Sequence, residues 1–175
     1  MAQIIKKHNK RVSTTKVTPP ISCNCRKKME CPLSGNCLAS SLVYQGDVVQ
    51  TNKTYIGATE GPFKPRSSVH KTSFKNRKYM NSTSIAKHIW NRKDTTDITP
   101  DIKWSLVKHA PAYSNISKKC ILCSKEKLAI ITYPNLENLL NKKSELISKC
   151  RHENKFLLRN YKRVIGTPDN DLDEI

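Results

Sequence analysis

Apolar residues fall in short clusters along the chain, and the spacing within each cluster predicts a small set of elements. Leu42, Val43 and Tyr44, followed by Val48 and Val49, suggest a strand over 42–50 broken near Gly46-Asp47. Thr51-Asn52-Lys53 reads as a turn, and Thr54 to Ala58 as a second strand, which together make a hairpin. Gly61-Pro62 opens a helix running to about Asn76. At 100° per residue, Phe63, Arg66, His70 and Phe74 lie within one stripe roughly 80° wide, so two polar groups share the docking face with two phenylalanines. Residues 83–92, with Ile85, Ile89 and Trp90 on or near one face, give a second helix. Ile102 to Val107 gives a third strand. An apolar helix is expected over 120–132. Another is expected over 135–151, with Leu139, Leu146 and Ile147 as core, and Phe156-Leu157-Leu158 packing after it. No internal repeat is present. The class this predicts is α+β, a small three-stranded antiparallel sheet flanked by helices.

Composition limits how much core these elements can share. The chain has 175 residues, of which 37% are apolar and 6% aromatic, so its core is modest and would gain from metal staples. The division expected is a basic arm over 1–20 ending in Pro19-Pro20, a Cys-rich segment over 21–41, the main domain over 42–160 and a flexible acidic tail over 161–175. Met1 to Lys7 lacks the apolar core of a signal peptide, and no apolar run reaches membrane-spanning length. An intracellular, reducing setting with free thiols is therefore expected.

Charge narrows the partner. The formal net charge is +18, and the acids Asp169, Asp171, Asp173 and Glu174 stand together at the C-terminal end, leaving +22 on the rest. Such a surface attracts a polyanion, nucleic acid first, with affinity that falls steeply with salt. No long amphipathic basic helix suggests a membrane surface. Lys64, Lys71, Lys75, Arg77 and Lys78 could follow a phosphate backbone, which gives affinity without sequence information; a solvated helix face is the plainer account of the same residues.

The seven cysteines fall in two groups. Cys23, Cys25, Cys31 and Cys37 sit in a turn-rich stretch with Pro32 and Gly35, and four thiolates suit a tetrahedral structural zinc. Cys120-x2-Cys123 and the later Cys150-x-His152 offer three thiolates and an imidazole, a second such set. Each group has a full complement of protein ligands and leaves no open position for water, which fits about two structural zinc ions rather than a catalytic one. Buried or redox-reactive thiols, or ligands exchanged between the groups, are the alternatives.

The polar residues off these groups make a kit for cutting a phosphodiester. Such a reaction needs a positioned water, a base, neutralisation of the phosphoryl charge and help for the leaving oxygen. Glu126, four residues from both Leu122 and Ile130, lies along an apolar stripe, where an acid is costly unless paired or metal-bound. It could hold a hard divalent ion such as Mg²⁺. Arg66 could clamp the scissile phosphate. Tyr44 or His70 could orient or deprotonate the water, and Tyr55 could hydrogen-bond the phosphate or a metal-bound water. Taken singly, each tyrosine is as well explained as core, Glu126 as a lysine partner and Asn141 as a helix cap.

In order along the chain, Tyr44, Tyr55-Ile56-Gly57, Arg66-x3-His70, Glu126 and Asn141 resemble the GIY-YIG nuclease family. Leu42-Val43-Tyr44 stands where that family has Gly-Ile-Tyr, and Pro65 beside Arg66 is unusual. Cys23-Asn24-Cys25-Arg26, Cys31-Pro32-Leu33, Tyr55 to Gly61 and Ser144 to His152 further resemble the C-terminal endonuclease of Penelope-like retroelements, a likeness covering about residues 21–158. The basic start is similar to the segment joining reverse transcriptase to nuclease, so Met1 is expected to lie within a longer reading frame.

The resemblance implies both tyrosines on the hairpin and cleavage with one Mg²⁺ or Mn²⁺ ion. Tyr44 would be the general base, Arg66 would bind the phosphate, Glu126 the ion, and Asn141 would support the site. It implies a DNA nick ending in a 3′-hydroxyl that primes reverse transcription, action in the nucleus, and element RNA and an attached reverse transcriptase as further partners. The competing expectation is a zinc-stapled nucleic-acid-binding module without catalysis, from a decayed or domesticated element.

Overall fold

A computed structural model describes residues 22–96, 100–114, 116, 120–147, 150 and 152. The expected arm over 1–20, the acidic tail, Arg151 and Phe156-Leu157-Leu158 lie outside the described residues. Three strands, β1 (Leu42–Val48), β2 (Lys53–Thr59) and β3 (Ile102–His109), form one antiparallel sheet in the order β2-β1-β3. Four helices accompany it: α1 (Phe63–Lys75), α2 (Ser84–Thr96), α3 (Ile121–Ile131) and the single turn α4 (Lys143–Leu146). The class is α+β, as the apolar spacing predicts. No described helix is long and apolar enough to cross a membrane.

The central strand β1 is not broken at Gly46-Asp47; it pairs along its whole length with both neighbours. Gly46 permits this because a Cβ there would come within 2.5 Å of the Trp104 ring on β3. The hairpin turns through residues 49–52, where Asn52 takes φ of 52°, a left-handed conformation that asparagine tolerates. The Thr51 hydroxyl then meets His88 Nε2 at 2.9 Å, fixing the turn to α2.

Both sheet faces are covered, so successive residues of a strand are buried, Leu42 to Tyr44 on β1 and Thr54 to Thr59 on β2. On one face Leu42, Tyr44, Val48 and Tyr55 pack against Phe63 and Phe74 of α1 and Ile85, Ala86 and Ile89 of α2. On the other, Val43, Ile56 and Ala58 pack against Leu122, Cys123 and Ile130 of α3, with Cys120 and Cys150.

Helix α1 starts despite Pro65 because that residue lies in its first turn, where the backbone N–H has no intrahelical partner to lose. Two of the other first-turn donors are received by the Cys-rich segment: Phe63 N–H by Ala39 O at 3.0 Å and Lys64 N–H by Cys37 O at 2.7 Å. That segment is not an appendage. Its Leu33 and Cys37 are buried in the same core cluster as Tyr44.

The helix expected over 135–151 does not form as such. Residues 136–138 make a 3₁₀ turn, Leu139 bridges Thr54 in parallel, and among the described residues of this stretch only Lys143–Leu146 is α-helical. The physical reason is the outer edge of β2, whose N–H and C=O groups need partners. Leu140 N–H donates to Thr54 O at 2.7 Å, and the Asn141 side chain serves Ile56 one step along.

Candidate active site

The stripe predicted on α1 brings its polar members onto the sheet. Phe63, His70 and Phe74 are buried and Arg66 is half-buried, with its guanidinium reaching over β1. Arg66 Nε donates to the Tyr44 hydroxyl at 2.9 Å, and the same hydroxyl lies 2.8 Å from His70 Nε2. The Tyr44 oxygen accepts from Arg66, and the His70 tautomer sets which of Tyr44 Oη and His70 Nε2 donates to the other. Burial, reinforced by the Arg66 charge, pulls the His70 pKa down to about 3, which keeps the imidazole neutral.

Rings fix this trio in place. Tyr44 meets Phe63 edge-on with centroids 4.9 Å apart and Trp104 at 5.6 Å. His70 lies between Phe74 at 5.9 Å and Trp104 at 5.0 Å. Tyr44 stands opposite Gly57 in the register of the hairpin. A Cβ at Gly57 would be 2.7 Å from the Tyr44 hydroxyl, so only glycine leaves room for the phenol.

Tyr55 sits on the same face, its ring 6.4 Å from that of Tyr44. Burial pushes its phenol pKa far above the ordinary value. Tyr44, Glu145 and Glu126 push the same way, and Arg66 opposes them. Tyr55 is therefore a neutral hydroxyl and a hydrogen-bond donor. Burial works against the Arg66 charge, but Tyr44 and Tyr55 outweigh it and raise its pKa, so the guanidinium stays charged.

Glu126 lies on α3, half-buried between the buried Leu122 and Ile130 as its spacing predicts. It acts on Tyr55 electrostatically. Asn141 is fixed to the β2 backbone: its Oδ1 accepts from Ile56 N–H and its Nδ2 donates to Ile56 O, both at 2.8 Å. Nδ2 also donates to Glu145 Oε2 at 2.6 Å. Sequence reasoning missed Trp104 and Glu145. The first had a signal in Gly46, a small residue opposite which a large ring can lie. The second had one in its spacing of four from Asn141.

The basic residues divide. Lys71, Lys75 and Lys78 are exposed. Lys64 donates to Asn24 Oδ1 at 2.6 Å. Arg77 is held by Asp94 in a two-pronged pair at 2.9 Å and lies over the Trp90 ring, which leaves it less free for a phosphate than its place in the sequence predicts.

The sulfurs form two sets whose ligand atoms lie within 4.8 Å of one another, Cys23, Cys25, Cys31 and Cys37 in one and Cys120, Cys123 and Cys150 in the other. In the first, Cys23–Cys31 and Cys23–Cys37 are 3.6 Å apart and Cys25–Cys37 3.7 Å; in the second, Cys123–Cys150 is 3.5 Å. Disulfide sulfurs would be at about 2.05 Å, whereas the edge of a tetrahedron with Zn–S bonds of about 2.3 Å is about 3.8 Å. Both sets therefore fit a metal in size and chemistry. Burial pushes Cys31 up, but backbone donors at Leu33 and Gly35 with the neighbouring thiols bring it down to about 6, which favours the thiolate a metal needs.

His152, expected as a fourth ligand, is not within the second sulfur set. Its ring stacks on Tyr113 with centroids 3.8 Å apart, and Nε2 lies 3.3 Å from Glu60 Oε1. Its Nδ1 is the one buried side-chain nitrogen or oxygen among the described residues with no hydrogen-bond partner. Comparison with known family models, with curated proteins and with solved structures gives no match.

Proposed function

We propose that this chain is a metal-dependent DNA endonuclease of the GIY-YIG type, which nicks DNA and leaves a 3′-hydroxyl. The observation that carries the reading is the Arg66–Tyr44–His70 chain of hydrogen bonds beside a neutral Tyr55. A core needs none of these polar groups there, and burying them is unfavourable unless each is paired.

In this reading Arg66 turns its remaining N–H groups to a non-bridging oxygen of the scissile phosphate. Tyr55 donates a hydrogen bond to the same group. Tyr44 takes a proton from the attacking water while passing its own to His70 Nε2. The phosphate helps that transfer, because it offsets the Arg66 charge that adds to burial in holding His70 neutral. The water oxygen bonds to phosphorus, the bond to the 3′ oxygen breaks, and that oxygen leaves as an alkoxide that takes a proton from solvent to become the 3′-hydroxyl, opposite a 5′-phosphate. Glu126 would hold Mg²⁺ or Mn²⁺, which supplies charge neutralisation at the phosphoryl and leaving oxygens. A half-buried carboxylate that acts on Tyr55 fits a hard cation there.

Zinc would occupy both sulfur sets as a structural ion. His152 would complete the second through Nδ1, with Glu60 on Nε2 fixing the tautomer. The exposed Lys71, Lys75 and Lys78 would follow the DNA backbone. In the setting of a Penelope-like element the 3′ end primes reverse transcription in the nucleus, with element RNA and an attached reverse transcriptase as partners.

One observation favours a second reading, a zinc-stapled nucleic-acid-binding module: Tyr44 is wholly buried, so water must gain entry before it can react. Nicking of supercoiled plasmid with Mg²⁺ or Mn²⁺ separates the two. The nuclease cuts, and loses the activity in Arg66→Ala and Glu126→Ala; the module binds the plasmid and leaves it intact.

A further inference from the structure

The carboxylate of Glu145 joins three elements. One oxygen accepts from the Ser84 hydroxyl at the start of α2 and the other from Asn141 Nδ2. Asn141 in turn holds both backbone groups of Ile56, the residue between Tyr55 and Gly57. We propose that Glu145 is a positioning residue of this centre, which locks the Asn141 amide in the one orientation that pairs with Ile56 and so sets the height of Tyr55 and Gly57 against Tyr44. The proposal rests on the nuclease reading for its consequence in cutting, and on hydrogen bonds alone for the positioning.

Donor and acceptor counting leads to it. Ile56 presents one donor and one acceptor at the outer edge of β2, and a primary amide matches them in only one of its two orientations. That match uses one Nδ2 hydrogen, and the other points along α4, where Glu145 Oε2 receives it at 2.6 Å. A flipped amide would set its oxygen against two acceptors, Ile56 O and the carboxylate. Glu145 therefore selects the orientation as well as filling a vacant hydrogen bond. Ser84 lies in the first turn of α2, where the helix dipole favours a negative group, so the carboxylate is stabilised where it acts.

The consequence for the site is geometric. Gly57 tolerates the Tyr44 hydroxyl only because it has no Cβ, so the clearance there is small. A shift of the β2 backbone at Ile56 changes both that clearance and the direction of the Tyr55 hydroxyl. Glu145 also contributes to keeping Tyr55 protonated, the state in which it donates.

Glu145→Ala and Glu145→Gln, made in the full chain, test the assignment through two readouts. Glu145→Ala is expected to speed exchange of the Ile56 amide hydrogen about tenfold or more relative to the sheet interior. It is expected to slow single-turnover nicking about 10–100-fold, the range for loss of a supporting partner, with DNA Kd within about twofold. Glu145→Gln keeps one carbonyl oxygen for two donors, so it should fall between wild type and Glu145→Ala in both readouts, and it covers the case in which the alanine variant does not fold. Ile56 exchange unchanged in a folded variant would overturn the proposal. So would nicking lost wholly through weaker DNA binding, or a glutamine variant no better than alanine. If wild type does not cut, the nuclease reading fails, and Ile56 exchange still decides the positioning.

Discussion

Tyr44 is the residue on which the site turns. Its hydroxyl carries two hydrogen bonds in a ring-lined pocket without exposure, and both partners lose an atom's worth of pairing if it is removed. Tyr44→Phe is expected to lower stability by about 1–3 kcal/mol, the cost of leaving buried polar groups unpaired, seen as a lower urea midpoint, and to abolish nicking. His70 gives a second expectation at this scale. An unfolded histidine takes up its proton near pH 6.5, the folded one only at about 3. Between those values the unfolded chain binds the extra proton, so stability from His70 is complete above about 6.5 and is lost progressively as pH falls toward 3. His70→Gln, which keeps an acceptor for Tyr44 but does not titrate, should show a shallower loss of thermal stability over that window. Equal slopes in the two proteins would contradict the buried neutral imidazole.

Among the elements, α1 and the Cys-rich segment act as one. Carbonyls of Ala39 and Cys37 receive the first donors of the helix that bears Arg66 and His70, so the sulfur set and the polar stripe share a support. Zinc content should be about two per chain. Cys37→Ser should lower it to about one and loosen Arg66 and His70, so that activity falls along with thermal stability. Metal-replete protein free of zinc would remove this support from the account.

The elements also show what a sequence can carry. The α1 stripe was legible because helical phase is local: Phe63, Arg66, His70 and Phe74 meet by spacing alone. The hairpin was legible in its apolar clusters and the turn between them; its burial on both faces was not, because it depends on which helices the sheet meets. The contact of Gly57 with the Tyr44 hydroxyl was not, because it depends on a register set by the turn at 49–52. The stretch 135–151 misled because Leu139, Leu146 and Ile147 recur at helical spacing, while the unpaired edge of β2 drew residues 139–141 into an extended course. The three sulfurs of the second set were legible as a group, but where the His152 ring points depends on Tyr113 and Glu60, far away in the chain.

At the scale of the whole molecule, the proposed function makes charge decide how DNA would be held. A chain of +18 with exposed Lys71, Lys75 and Lys78 should bind duplexes of any sequence with similar affinity. With several phosphate contacts, that affinity should fall about a thousandfold or more between 50 and 200 mM salt. A nearly flat salt dependence, measured by fluorescence anisotropy, would mean that the basic face is not the contact surface. Arg77, engaged by Asp94, should contribute less to this slope than Lys75.

The most direct test of the account is single-turnover cleavage of supercoiled plasmid by wild type, Arg66→Ala and Glu126→Ala at matched DNA occupancy, with Mg²⁺ or Mn²⁺. The account predicts nicked circles with free 3′-hydroxyl ends that a polymerase extends, from wild type alone. Plasmid bound by wild type but left intact, or cut equally well by either variant, would contradict it.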